Sequence, residues 1–189
     1  MIEQFVKLVR DYIALIDGLP GLYAREFLSQ CAILLPQIYA AAQQLPDIEL
    51  PNEESGDEPD EEGDQWHNDL TAAVEKRHSQ RSTIVDPLGK LASLLGRFDL
   101  YREVFDPVFD TEALTSTLSN DLSEIYCDLK EHLAQFDKGD PQSQSEAVWE
   151  WTFGMQTHWG HHLVDALRPI HLLVHDHLAP DWKNERSDN

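Results

Sequence analysis

The chain has 189 residues, of which 41% are hydrophobic, and a formal net charge of −21. That is enough for one domain with its own core, and it excludes wholesale disorder. The charge also excludes binding driven by neutralising nucleic-acid phosphates or an anionic membrane surface.

Ile2, Phe5, Val6, Val9, Ile13 and Ile16 recur at helical spacing, and Gly18, Pro20 and Gly21 end that first helix. Its mixed charge, with Glu3, Lys7, Arg10 and Asp11, marks an amphipathic helix rather than a signal peptide. A second helix is expected over Leu22–Leu45, with Tyr23, Phe27, Cys31, Leu34, Leu35, Ile38 and Ala42 as its stripe. Pro36 lies inside it and either kinks or breaks it. Residues 46–65 are different in kind. From Pro46 to Asp64 there are ten acids, three prolines, two glycines and no Lys or Arg, which predicts a solvated, disordered acidic loop. Nothing approaches the roughly 20 apolar residues of a membrane span. The two cysteines, Cys31 and Cys127, each sit in a helical pattern and suit buried thiols in a reducing cytoplasm.

Trp66–His78 predicts a third helix, with Leu70, Ala73 and Val74 inward. Asp86-Pro87 is a capping residue followed by proline at the first helical position, so a helix runs on to about Gly96. Phe98 to Phe105 stays apolar up to a turn at Asp106-Pro107. The clearest helix is expected over Thr111–Phe136, capped by Asp110 and ended by Lys138-Gly139. Ser143 with Glu146 predicts a capping box for a last helix over Gln144–Leu178, with a kink at Pro169. No alternating strand pattern stands out. The expected fold is all-α: one helical bundle over residues 1–189, of about five to seven helices, with long antiparallel C-terminal helices.

Two segments carry polar residues where a core helix does not need them. On a helical wheel Asp121 and Asp128 share one edge of an apolar stripe, and His132, four residues on, falls inside it and can pair with Asp128. Glu124 and Glu131 point further toward water. In the last helix His162 lies within the stripe, and His158 and Asp165 lie along its edge. Facing helices that project carboxylates and imidazoles inward are how bundles build metal centres. Asp121, Asp128, His158 and His162 are therefore candidate ligands for Mn, Fe or Zn, with Glu124, His132, Trp159 and Asp165 in support. The same groups also make an ordinary satisfied hydrogen-bond network. His171 and His175 form a further pair on the opposite face, read as exposed helix-end residues. Trp149, Trp151 and Trp159 form an aromatic group beside the histidines. There is no phosphate loop, paired Cys-x-x-Cys or nucleophile elbow.

The run Asn120-Asp121-Leu122-Ser123-Glu124-Ile125-Tyr126-Cys127-Asp128-Leu129-Lys130 resembles the signature of a bacterial family of helical proteins, domain of unknown function 5063. Val148-Trp149-Glu150-Trp151, His158-Trp159-Gly160-x-His162 and Ala166-Leu167-Arg168 are similar to that family's second signature. Tyr101 to Pro107 resembles the segment leading into the first. Asn120 stands where the family usually has the first of two acids, and Glu124 stands in place of an Asp. The resemblance implies a helical fold and supplies no activity.

Two function classes follow. The sequence reading favours a non-catalytic binding module with a protein partner, without cofactor, whose inward polar groups are structural. The alternative is a metal-binding protein or metal-dependent hydrolase, with the Asp/His set as ligands and Glu124 or Glu150 as base. Asp128→Asn separates them: it only destabilises the first and removes metal from the second.

Overall fold

The computed structural model describes residues 1–48, 84–104 and 108–175. The expected helix at Trp66–His78, the acidic stretch from Glu49 on, the turn at Asp106-Pro107 and the end of the last helix at Leu178 lie outside them. Among the described residues there are six α-helices and one small ribbon. They are α1 (Ile2–Asp17), α2 (Ala24–Ala42), α3 (Leu88–Leu95), β1 (Leu100–Glu103), β2 (Leu114–Thr117), α4 (Leu118–Phe136), α5 (Pro141–Thr157) and α6 (Trp159–His175). The all-α expectation holds, and among the described residues no helix is long and apolar enough to cross a membrane.

The centre of the bundle is α4. Leu118, Leu122, Ile125, Leu129 and Leu133 are buried, and so are Ser119, Asp121, Ser123, Cys127 and His132 on its other sides. A helix buried on nearly every side has neighbours all around it, and α1, α3, α5 and α6 all pack on α4. From α1, Phe5 and Val9 are fully buried, and the Tyr12 hydroxyl donates to the Leu122 carbonyl at 2.8 Å. That bond satisfies a phenol which would otherwise cost free energy in the core. Burial pushes the Tyr12 hydroxyl and the Cys31 thiol up, so both stay neutral. α2 runs unbroken through Pro36, and α6 through Pro169. Tyr23, expected in the α2 stripe, is instead the residue before the helix and is exposed.

The start of α4 corrects the sequence reading. Leu114 and Leu118 keep helical spacing, yet Leu114–Thr117 is a strand, antiparallel to Leu100–Glu103 with Tyr101 opposite Ser116. The β-branched Thr115 and Thr117 favour that extended backbone. Thr117, not Asp110, caps α4 by accepting from the Asn120 N–H at 3.3 Å. Buried Asp99 fixes the same end: its carboxylate accepts the Ser119 N–H at 2.7 Å and the Ser119 hydroxyl at 2.8 Å. Asp86 ties α3 to α4, accepting from the Leu88 N–H and the Ser123 hydroxyl.

The expected last helix is two helices. Asp140 caps α5 by accepting the Ser143 N–H at 2.9 Å, so Ser143 and Glu146 are not its capping box. Gly139, at φ 81°, makes the turn from α4. The chain then breaks at His158 (φ −148°, ψ −87°) and restarts at Trp159. A Cβ on Gly160 would lie 1.9 Å from the Met155 carbonyl oxygen, so only glycine fits this junction. α5 and α6 together run antiparallel along α4: Gln135 meets Glu146, Leu129 meets Trp151, Asp128 meets His158 and Asp121 meets His162.

Candidate metal centre

The break at His158 puts its ring over α4 from one side of the junction and His162 from the other. His158 Nδ1 lies 2.7 Å from Asp128 Oδ2, and His162 Nδ1 lies 2.9 Å from Asp121 Oδ1. An ionised carboxylate only accepts, so each Nδ1 carries the hydrogen. In the neutral rings Nε2 then bears the lone pair. The rings meet edge to face with centroids 5.0 Å apart. Glu124, one turn before Asp128 on α4, brings Oε2 to 3.8 Å from His158 Nε2. One ligand atom from each of Glu124, His158 and His162 lies within 4.8 Å of the others. This is the one such His/Cys/Asp/Glu group among the described residues.

Behind the rings, the network continues inward. Asp121 is 1% exposed, and its second oxygen accepts from the Tyr101 hydroxyl at 2.6 Å. That hydroxyl is also 2.7 Å from Glu103 Oε2. The β1–β2 ribbon thus presents Tyr101 to the carboxylate that orients His162. Burial pushes Asp121 up from the usual carboxylate range, although His162 and Tyr101 both bond its charged form. For His162, burial opposes the charge, but Asp121, Glu124 and Asp128 outweigh it and the net shift is upward. Burial, then Glu103 and Asp121, push Asp165 up as well. Asp165 and His161 line a separate cavity of about 630 Å³ between α2 and the α5–α6 junction.

The four expected ligand residues are brought together. The two aspartates hold imidazole Nδ1 atoms, while Glu124, read from the wheel as pointing toward water, converges with the histidines. Glu150 is not in that group, and His132 is buried on α4 while Asp128 turns to His158. The aromatic group divides. Trp151 and Trp159 are fully buried, Trp151 edge-on to Phe5 at 5.1 Å, and Trp159 donates to the Trp151 carbonyl at 3.2 Å. Trp149 faces away and stacks on Phe153. Gly154 makes room for Trp159, because a Cβ there would lie 2.8 Å from its ring. Sequence reasoning missed Tyr101 and Glu103 as members of the network. Leu100-Tyr101-Arg102-Glu103 does not alternate in hydropathy, so the only pointer was the likeness of Tyr101–Pro107 to the family segment.

The fold resembles the crystal structure of protein BF1032 from Bacteroides fragilis, with a TM-score of 0.66 at 20% identity over 93% of this chain and 92% of that one. At that identity the likeness establishes the fold alone. No curated protein matches the sequence. The profile of the family described as domain of unknown function (DUF5063) matches residues 1–176, and the chain belongs to that family.

Proposed function

We propose that the protein binds a divalent transition metal through Glu124 and the Nε2 atoms of His158 and His162. The observation that carries this is the pairing of both imidazoles, at Nδ1, with carboxylates that are not themselves in the convergent group. Metal-ligating histidines almost always donate their other N–H to a carboxylate, carbonyl or water, which fixes the tautomer and raises basicity. Ligand atoms of a tetrahedral site with bonds of ~2.1 Å stand roughly 3.4 Å apart. The 3.8 Å between Glu124 and His158 needs only a small side-chain rotation to reach that. Two imidazoles and one carboxylate suit Zn, Fe or Mn and leave coordination positions open. The His158 side chain is 40% exposed and that of Glu124 26%, so water or a substrate can reach those positions. Such a centre supplies a Lewis acid and a metal-bound water, the requirements of a hydrolase.

The test is equilibrium dialysis of tag-free protein against Zn, Mn and Fe(II), read by mass spectrometry. Binding of one ion, lost in Glu124→Gln and His162→Ala but kept in His171→Ala, supports the reading. A second reading is favoured by the satisfied state of Asp121, whose oxygens already have His162 and Tyr101 as partners. In that reading the network only holds α6 and the ribbon to α4. It predicts no stoichiometric metal and a lowered melting temperature in His162→Ala.

A further inference from the structure

The side of α4 turned away from the histidines carries a second cluster of different chemistry. Tyr126 and Lys130 stand about half a turn of the helical wheel from Glu124 and Asp128. They line a cavity of about 370 Å³ between the end of α1 and the start of α3. The Tyr126 hydroxyl donates to Asp17 Oδ1 at 2.6 Å. The Lys130 ammonium lies against that hydroxyl and 3.2 Å from Asp17 Oδ2, and over the Tyr126 ring at 4.6 Å. The ammonium also lies 3.3 Å from Asp17 Oδ1, so its three donors are engaged by Asp17 and Tyr126, and what it offers the cavity is its charge. Lys90, in the first turn of α3, lines the same cavity, is exposed and makes no ion pair among the described residues.

The charge balance here is opposite to that of the molecule. The chain has 14 Lys and Arg against 35 acids. This cavity is lined by two lysines and one acid, Asp17. The remaining wall is apolar: Ile16, Ile84, Val85, Pro87 and Ala134. Val85 is 78% exposed, an apolar side chain held in water at the mouth. Small-ligand sites are concave and largely apolar, with a few convergent polar groups, and this volume is at the small end of their range.

We propose that this cavity binds a small amphiphilic anion, its head between Lys90 and Lys130 and its short apolar tail against Val85 and Pro87. One net positive charge matches a carboxylate or a phosphate monoester; charge-assisted hydrogen bonds from the Lys90 ammonium hold the head, and Lys130 offsets the charge of Asp17 beside it. The site is independent of the metal centre.

Isothermal titration of the full chain with octanoate, octyl phosphate, octanol and inorganic phosphate tests this. Octanoate or octyl phosphate is expected to bind, and whichever is tighter identifies the head group. Lys90→Gln, an exposed change that leaves Asp17–Lys130 intact, is expected to weaken it at least fivefold, and Val85→Asp to abolish it. The same binding by Lys90→Gln as by the wild type, equal binding of octanol, equal binding of inorganic phosphate, or no binding by either amphiphile would overturn the proposal. Lys130→Gln is expected to weaken binding about tenfold. Should it fail to fold, the Lys90 and Val85 variants decide.

Discussion

Replacing Gly160 by alanine inserts one methyl group at the α5–α6 junction. The new Cβ would lie 1.9 Å from the Met155 carbonyl oxygen and 2.9 Å from its carbonyl carbon. Both are backbone atoms, so no rotamer change relieves the clash, and the two helices must separate by about 1 Å. Overpacking of a close-packed interior costs about 1–3 kcal/mol, and a backbone clash falls at the top of that range. The junction also positions His158 and His162, whose carboxylate bonds stretch with it. We therefore expect Gly160→Ala to lower the unfolding free energy by about 3 kcal/mol, out of a total of roughly 5–15 kcal/mol for a domain. Urea denaturation followed by circular dichroism reads this as a lowered midpoint at unchanged slope. Gly89→Ala is the control: its Cβ meets nothing within 4 Å in the first turn of α3, and it is expected to stabilise by about 0.5 kcal/mol. A Gly160→Ala protein as stable as the wild type would refute the close junction.

Three further outcomes follow. Asp121 and His162 both take up protons more readily in the folded protein than in water. Between the ordinary carboxylate range and a pH above 6.5 the folded state therefore holds more protons than the unfolded one, and metal-free stability must fall as pH rises. Melting temperatures from pH 5 to 8.5 should show this decline, and His162→Gln should flatten it; a rise with pH in the wild type would contradict it. Tyr101→Phe removes the hydroxyl from a buried carboxylate and should cost about 1–2 kcal/mol in urea denaturation, and an unchanged midpoint would mean that the ribbon does not support Asp121. Asp128→Asn, at a side chain that is 17% exposed, should leave the fold intact and weaken metal binding about 10–100-fold by competitive chelator titration. Full affinity in that variant would remove Asp128 from the orienting role.

Much of this arrangement is legible in the chain. The 3.6-residue period of α1, α2 and α4 is long and regular, so it locates one buried stripe on each, but not the further sides on which α4 is covered. It also puts Asp121 and Asp128 on one edge of α4, because one helical repeat fixes which side chains share a face; His158 and His162 do not share a helix, and the junction rather than a repeat brings them together. Where local signals compete, the reading fails. Leu114 and Leu118 extend a helical period into what is a strand, because the pairing that stabilises Leu114–Thr117 comes from Leu100–Glu103. The break at His158 rests on a contact between Gly160 and Met155 that no periodicity encodes. Glu124 sits away from the apolar stripe and looks like a solubilising charge on one helix. Its role depends on where the broken α5–α6 pair brings the imidazoles, which is tertiary information.

The metal centre is tested most directly by locating an ion in it. Crystals of the tag-free protein grown with Zn, measured just above and below the Zn absorption edge, would locate it directly. One anomalous peak is expected within about 2.1 Å of Glu124 Oε and of the Nε2 atoms of His158 and His162, with Asp121 and Asp128 still bonded to the Nδ1 atoms. A peak at His171 and His175 instead, or none at Glu124 with the two histidine–aspartate pairs unchanged, would contradict it.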